Sequence, residues 1–192
     1  MAELAERMDQ TKKAVTDLPD ESAQAGREGK YLTFMLASEE YGIGILKVKE
    51  IIGMMSITSV PRTPKFVKGV INLRGKVIPV VDLRLKFGME EIDYTERTCI
   101  IVVEIAGGSG NIVIGIVVDA VSEVLNIKYE DIEDTPTFGS SLNTDYILGM
   151  AKMEGGVKIL LDIDQVLSPQ ECDAISEVKA EENAGAFDTI PQ

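Results

Sequence analysis

The chain has no histidine, no tryptophan and only two cysteines among its 192 residues. Histidine is the side chain best matched to proton transfer near neutral pH, and it is a frequent metal ligand. Its absence removes Ser-His-Asp, Cys-His and histidine-ligated metal chemistry together. Cys99 and Cys172 lie far apart, with no CxxC spacing. Neither a disulfide nor a metal pair is expected, and reduced thiols fit a cytoplasmic protein. Long apolar runs are also missing. "VIGIVV" (113–118) is among the longest, far short of the roughly 20 residues a spanning helix needs. The N-terminus, "MAELAERMDQTKKAV", is charged throughout, so no secretory signal is visible and no membrane insertion is expected. Basic charge is scarce: 19 Lys and Arg against 32 Asp and Glu give a net charge of −13. Aromatic residues make up 5%. Binding to nucleic acid is disfavoured by the field and by the lack of stacking side chains. Adhesion to an anionic membrane is disfavoured by the same field.

What is present is a strand-rich pattern. Hydrophobic residues make up 45% and charged residues 27%, ordinary values for a globular chain. Residues 1–30 lack strong periodicity and end in the polar "PDESAQAGREGK". They read as a mobile arm with a weak helix over Leu4 to Val15. From Tyr31, "YLTFMLA" alternates, "SEE" turns, and "YGIGIL" completes a hairpin. "KVKEIIG" reads as a strand or a short helical turn feeding one. "SITSVPRTPKFVKG" (56–69) reads as loop, because its prolines break helix and ladder alike. "GVINLRGKVIPVVDLRLKFG" (69–88) then reads as strand, a two-residue turn at Arg74-Gly75, strand, and a helical turn with Asp82 as N-cap and Gly88 as terminator. Pro79 cannot donate to a ladder, which predicts an edge or a bulge. Strands resume with "CIIVVEIA", "IVIGIVVDA" and "VSEVLNI". A polar segment, 128–144, leads to "YILGMAKM" and "VKILLDIDQVL". "SPQE" signals a last helix, with Ser168 as N-cap, Pro169 at its first position and Glu171 three residues on. It is expected to run toward Lys179, followed by a disordered acidic tail. Short strands with regular turns predict a sandwich or small barrels.

The chain also repeats itself. "FVKGVINLRGKVIPVVDLRLKF" (66–87) aligns without gaps on "YILGMAKMEGGVKILLDIDQVL" (146–167), pairing Gly69 with Gly149 and Asp82 with Asp162. "GIGILKVKEII" (42–52) aligns on "GIVVDAVSEVL" (115–125), pairing Gly42 with Gly115 and Glu50 with Glu123. Two copies of one small β unit are implied, each of about five strands and each small to bury a core alone.

The repeat sorts the candidate chemistry. Asp82 and Asp162 suggest a carboxylate pair for acid–base work. Their equivalent places, each opening a helix, favour two caps instead. "GGSG" (107–110) lacks the Lys-Ser/Thr and the helix of a phosphate loop. Glu50 has a twin in Glu123. Arg74 has none, since its counterpart is Glu154. A side chain that differs between the copies is not explained by the shared fold. It is either a solvated hairpin tip or an interface anchor, a role in which arginine is enriched. The following strand is apolar on both faces, so one face fills a core and the other covers a second body.

"EEYGIGILKVKEII", "TPKFVKGVINLRGKVIPVVDLRLKFG", "IGIVVDAVSEVL" and "YILGMAKMEGGVKILLDIDQVL" closely resemble the CheW family of bacterial chemotaxis coupling proteins. The resemblance spans roughly residues 30 to 170. It implies a mainly β fold of two five-stranded SH3-like β-barrels packed together, with short helices and a C-terminal helix. The implied division is an arm at 1–30, a CheW-like domain of two intertwined barrels at 31–168, and a helix with an acidic tail at 169–192. It implies a non-enzymatic adaptor without cofactor or metal. Such an adaptor joins the regulatory domain of the histidine kinase CheA to the cytoplasmic tips of methyl-accepting chemotaxis receptors, and is recruited from the cytoplasm to receptor arrays. The family's receptor-coupling positions match at Val48, Glu50, Gly69 and Arg74, with Val121 and Val124 across a groove between the barrels. Ile57 and its loop are the implied kinase contact.

Two neighbouring readings, a CheV-type adaptor and a CheA regulatory domain, need a receiver domain or a kinase core. The 22 residues after residue 170 are too few for either, which favours a free coupling protein. A β-barrel hydrolase would need paired carboxylates and sugar-stacking aromatics, which the duplicated Asp positions and low aromatic content argue against.

Overall fold

The computed structural model describes residues 26–139 and 143–185, with side chains as far as Ala180. The expected arm helix over Leu4 to Val15 and the last residues of the tail lie outside them. Eleven strands and three short or medium helices make up the described chain. In order they are β1 (Gly29–Leu36), β2 (Glu39–Gly44), β3 (Val48–Gly53), β4 (Val67–Leu73), β5 (Lys76–Asp82), α1 (Leu83–Lys86), β6 (Cys99–Gly107), β7 (Gly110–Val118), β8 (Ala120–Ile127), β9 (Ile132–Glu133), β10 (Ile147–Met153), β11 (Gly156–Leu161), α2 (Ile163–Val166) and α3 (Pro169–Gly185). "KVKEIIG" resolves into both expected forms: a 3-10 turn at Ile45–Lys47 feeds β3.

The strands form two sheets whose orders mirror one another. One runs β3-β6-β7-β5-β4, the other β8-β1-β2-β11-β10-β9. An antiparallel hairpin sits inside each sheet and meets a parallel partner, β7 on β5 and β2 on β11. The hairpins are exchanged along the chain. β1–β2 precedes β3 yet joins the sheet of β10 and β11, while β6–β7 joins that of β4 and β5. The chain therefore crosses between sheets at Ile45–Lys47 and at Asp119.

The repeat is reproduced atom by atom in several places. Asp82 caps α1 by accepting from the Leu85 amide at 3.2 Å, and Asp162 caps α2 by accepting from the Asp164 amide at 3.1 Å. The Asp82 amide donates to the Phe66 carbonyl and the Asp162 amide to the Tyr146 carbonyl, both at 2.8 Å. The two aspartates are helix caps in separate sheets. Burial of Asp82 pushes its carboxyl above the ordinary aspartate value.

Three expectations need correction. Part of 56–69 is not loop: β4 begins at Val67, and Thr58 bridges to Val70. The polar segment 128–144 holds a sixth strand of the second sheet, β9, which plays the matching part beside β10. Pro79 is not on an edge strand, since β5 lies between β4 and β7, but the other alternative is met next to it: the β4–β5 register shifts between Val67 and Gly69, opposite Val81 and Val80. The parallel ladder to β7 starts only at Val80, so the missing amide costs no ladder bond.

Packing explains why both faces of β5 are apolar. Ile78 and Val80 fill the interior of the first sheet with Ile71, Ile100, Val102 and Val117. Val81 faces the larger cluster shared by the two sheets. That shared core counts twenty buried residues, against six and five in the two interiors. At roughly 1.5–3 kcal/mol per buried aliphatic or aromatic side chain, the seam outweighs either interior. The two units thus share one hydrophobic core. Phe34, Tyr41, Phe87 and Tyr146 stack across the seam with centroids 6.0, 5.9 and 5.3 Å apart.

The C-terminal helix is longer than expected and belongs to the body. Ser168 and Glu171 form the predicted capping box, with bonds of 2.7 and 3.2 Å. α3 continues past Lys179 to Gly185 and buries Cys172, Ile175 and Val178. Lys86 holds its first turn through Glu171 at 2.7 Å.

Candidate functional site

The β4–β5 hairpin turns at Arg74-Gly75, with φ of 52° and 83°. Two positive φ values in a two-residue loop define a type I′ turn, whose twist suits the flanking strands. Glycine accepts that geometry readily, whereas arginine does so only under constraint. Asn72 supplies part of it, its side-chain oxygen accepting from the Gly75 amide at 2.8 Å. Glu50 supplies the rest. The Arg74 guanidinium meets the Glu50 carboxylate as a two-pronged pair, Nη1 to Oε1 at 2.7 Å and Nη2 to Oε2 at 2.8 Å. Arg74 is 73% exposed and Glu50 29%, so solvent screens the pair and its weight in stability is small. The hydrogen-bonded guanidinium holds the Glu50 carboxyl below the ordinary glutamate value.

The place of this pair matters more than its strength. Glu50 lies on β3, at one edge of the first sheet; Arg74 caps the hairpin at the other edge. No ladder joins β3 to β4 among the described strands, and the ion pair links these two edges. A second fastening lies further along. The Thr58 amide donates to the Val70 carbonyl at 2.8 Å, and the Val70 amide returns the bond at 2.9 Å. Gly69 makes that approach possible. A Cβ there would sit 2.0 Å from the Thr58 carbonyl oxygen, and φ is 139°.

Each predicted site residue now has a place. Glu50 and Arg74 are in contact. Val48 and Val121 occupy matching positions, each just after a crossover and each packed on the shared core. Val124 is 50% exposed on β8, the edge of the other sheet. Gly69 is buried and seats the 57–59 segment. Ile57 packs against the first interior, as Ile132 packs in the second. The second unit repeats the backbone fastening, with Gly149 under the Glu133 carbonyl. It does not repeat the ion pair, because the matching side chains are the exposed acids Glu123 and Glu154.

Beneath the Glu50–Arg74 pair lies a groove of about 720 Å³ at the open end of the first unit. Leu73, Ile78, Val102 and Val113 line it, and Lys49, Lys76, Glu104 and Lys179 stand around it. Sequence reasoning passed over those lysines. Lys76 had a signal, its place next to the turn; Lys179 had none, since α3 reaches the groove only through tertiary packing.

Burial pushes both thiols above the ordinary cysteine value, the reverse of an activated nucleophile. Among the described residues no group of three Cys, Asp or Glu is placed to hold a metal ion. No described helix is long and apolar enough to cross a membrane.

Comparison with known proteins agrees in extent with the two sheets. The family model described as "CheW-like domain" matches residues 30–171. The chain is 43% identical over 149 residues to the chemotaxis protein CheW of Klebsiella aerogenes, covering 78% of this chain and 87% of that protein. It is 34% identical over 160 residues to that of Rhizobium meliloti, covering 83% and 99%. The crystal structure of scaffolding protein TtCheW from Thermoanaerobacter tengcongensis superposes with a TM-score of 0.65 at 37% identity, covering 75% of this chain and 97% of that one.

Proposed function

The chain belongs to the CheW-like family and is a chemotaxis adaptor, and from that premise we propose that it couples the histidine kinase CheA to the cytoplasmic tips of methyl-accepting chemotaxis receptors. The observation that carries this reading is the asymmetry of the repeat. The two units share caps, crossovers and a register shift at an equivalent glycine, Gly69 and Gly149, yet among the described residues only the first has the Glu50–Arg74 clasp. The clasp stands at positions the family resemblance assigns to receptor coupling. Residues 31–168 form the coupling domain, docking on receptor arrays from the cytoplasm.

The coupling makes and breaks no bond. A receptor helix tip contacts the first unit, with Arg74 and Glu50 setting polar register. Val48, Val121 and Val124 extend the contact across the seam. The kinase engages the neighbouring 55–59 segment, where Met55 is 38% exposed beside Ile57. Control requires that receptor state alter the affinity or geometry of the kinase contact. The test is co-elution of the full chain with a CheA regulatory fragment and a receptor cytoplasmic fragment. A ternary peak that the Arg74→Glu chain fails to form, while keeping its Tm, supports the proposal. Equal assembly by both chains overturns it.

A further inference from the structure

The groove under the clasp has a charge opposite to that of the molecule. The whole chain carries −13. Around the groove stand four cations, Lys49, Arg74, Lys76 and Lys179, against two carboxylates, Glu50 and Glu104. Both carboxylates are already engaged, Glu50 by Arg74 at 2.7 Å and Glu104 by Lys49 at 3.3 Å. Lys76 and Lys179 make no ion pair among the described residues. They come from different parts of the fold, Lys76 from the first residue of β5 and Lys179 from α3. The floor between them is apolar, and the volume lies in the range of about 300–1,000 Å³ typical of binding clefts.

We propose that this groove takes an acidic segment of a partner protein that also carries apolar side chains, with Lys76 and Lys179 as its specificity-determining residues. The proposal rests on the reading of Glu50 and Arg74 as a partner contact and names the partner's chemistry. Apolar side chains displace water from the floor formed by Leu73, Ile78, Val102 and Val113. Carboxylates of the same segment meet the ammonium groups of Lys76 and Lys179, which have no ion-pair partner among the described residues, and the apolar floor lowers the local dielectric and strengthens the attraction. A basic segment would place like charges together and leave the floor wet. Nucleic acid is excluded as occupant by the field of the remaining surface.

The test uses two labelled helical peptides of about four turns, one built of Leu and Glu and the other of Leu and Lys. Anisotropy against the full-length chain reads their affinities. Net charge alone favours the basic peptide; the groove favours the acidic one. We expect the acidic peptide to bind about tenfold or more tighter, and Lys76→Glu with Lys179→Glu to remove that preference. Tighter binding of the basic peptide, or acidic binding indifferent to the double variant, overturns the proposal. Acidic binding that tracks dissociation of a dimer in parallel sedimentation makes a second copy the occupant and also overturns it. The ternary co-elution separates this from failure of the adaptor reading. Assembly lost in Arg74→Glu but unchanged in the lysine variant removes the acidic-segment proposal and leaves the adaptor standing.

Discussion

The two β units began from one pattern, and they differ most where their sheet edges meet. In the first, a glycine bulge and an ion pair fasten the edges. In the second, a glycine bulge and the two-residue β9 do so, and the ion-pair positions hold two acids. Shared features follow from the fold: without them neither sheet could curl and bury its interior. Unshared features are free to serve something outside the fold. Charge identity at Glu154 and Arg74 is such a feature, since the two residues occupy equivalent tips of the two hairpins. Even the turns diverge: Arg74 has a positive φ, while Glu154 does not.

Substitutions can break this comparison or sharpen it. The largest effect is expected at the glycine bulges. Gly69→Ala pushes a Cβ to 2.0 Å from the Thr58 carbonyl at a φ of 139°. It should cost about 3 kcal/mol or more and lower Tm by roughly 6–12 °C. Gly149→Ala meets the Glu133 carbonyl at 2.8 Å without a positive φ, and should cost about 1–2 kcal/mol. Urea unfolding of both variants measures the difference. Equal losses would mean that the two fastenings are equally tight.

Next comes the clasp. Arg74→Glu should weaken ternary assembly about tenfold or more, while its unfolding curve overlays that of the unaltered chain. The reciprocal variant, Glu154→Arg, places a guanidinium opposite Glu123 and builds a clasp in the second unit. Combined with Arg74→Glu, it should not restore assembly. Recovery would show that any clasp suffices, whichever unit carries it.

The helix caps should behave alike. Asp82→Ala and Asp162→Ala each remove one side-chain cap, at about 1 kcal/mol, read as matched shifts in the urea midpoint. A much larger loss at Asp82 would mark a role beyond capping.

The smallest effect is on pH dependence. The Glu50 carboxyl is held below its ordinary value by Arg74. Its contribution to stability is therefore present above the unfolded glutamate pKa and lost as pH falls through the lower folded value. The Tm difference between the unaltered chain and Glu50→Gln should be small at neutral pH and vanish in acid. A difference that grows on acidification would contradict the pairing.

Much of the fold was legible because its signals are local. The two-residue turn at Arg74-Gly75, the capping box at Ser168 and Glu171, and the paired caps at Asp82 and Asp162 each depend on residues within a few positions. The repeat paired Gly69 with Gly149 before any sheet was seen. β9 and the Thr58 bridge were missed, since two-residue pairings leave no periodicity to read. Pro79 misled because its missing donor suggests an edge, while the parallel ladder starts one residue later. Of the candidate site, Glu50 and Arg74 were singled out and lie in contact, while Gly69, named with them, lies under the Thr58 carbonyl.

The sequence by itself determined the strands, the turns, the caps and the existence of two related units, because spacing and side-chain type act over a few residues. Tertiary structure alone decided that the hairpins are exchanged between sheets and that most burial lies at the seam. It alone brought Glu50, Arg74, Lys76 and Lys179 around one groove. Those contacts join residues far apart in the chain, and their geometry comes from sheet curvature and helix docking, which no local pattern encodes.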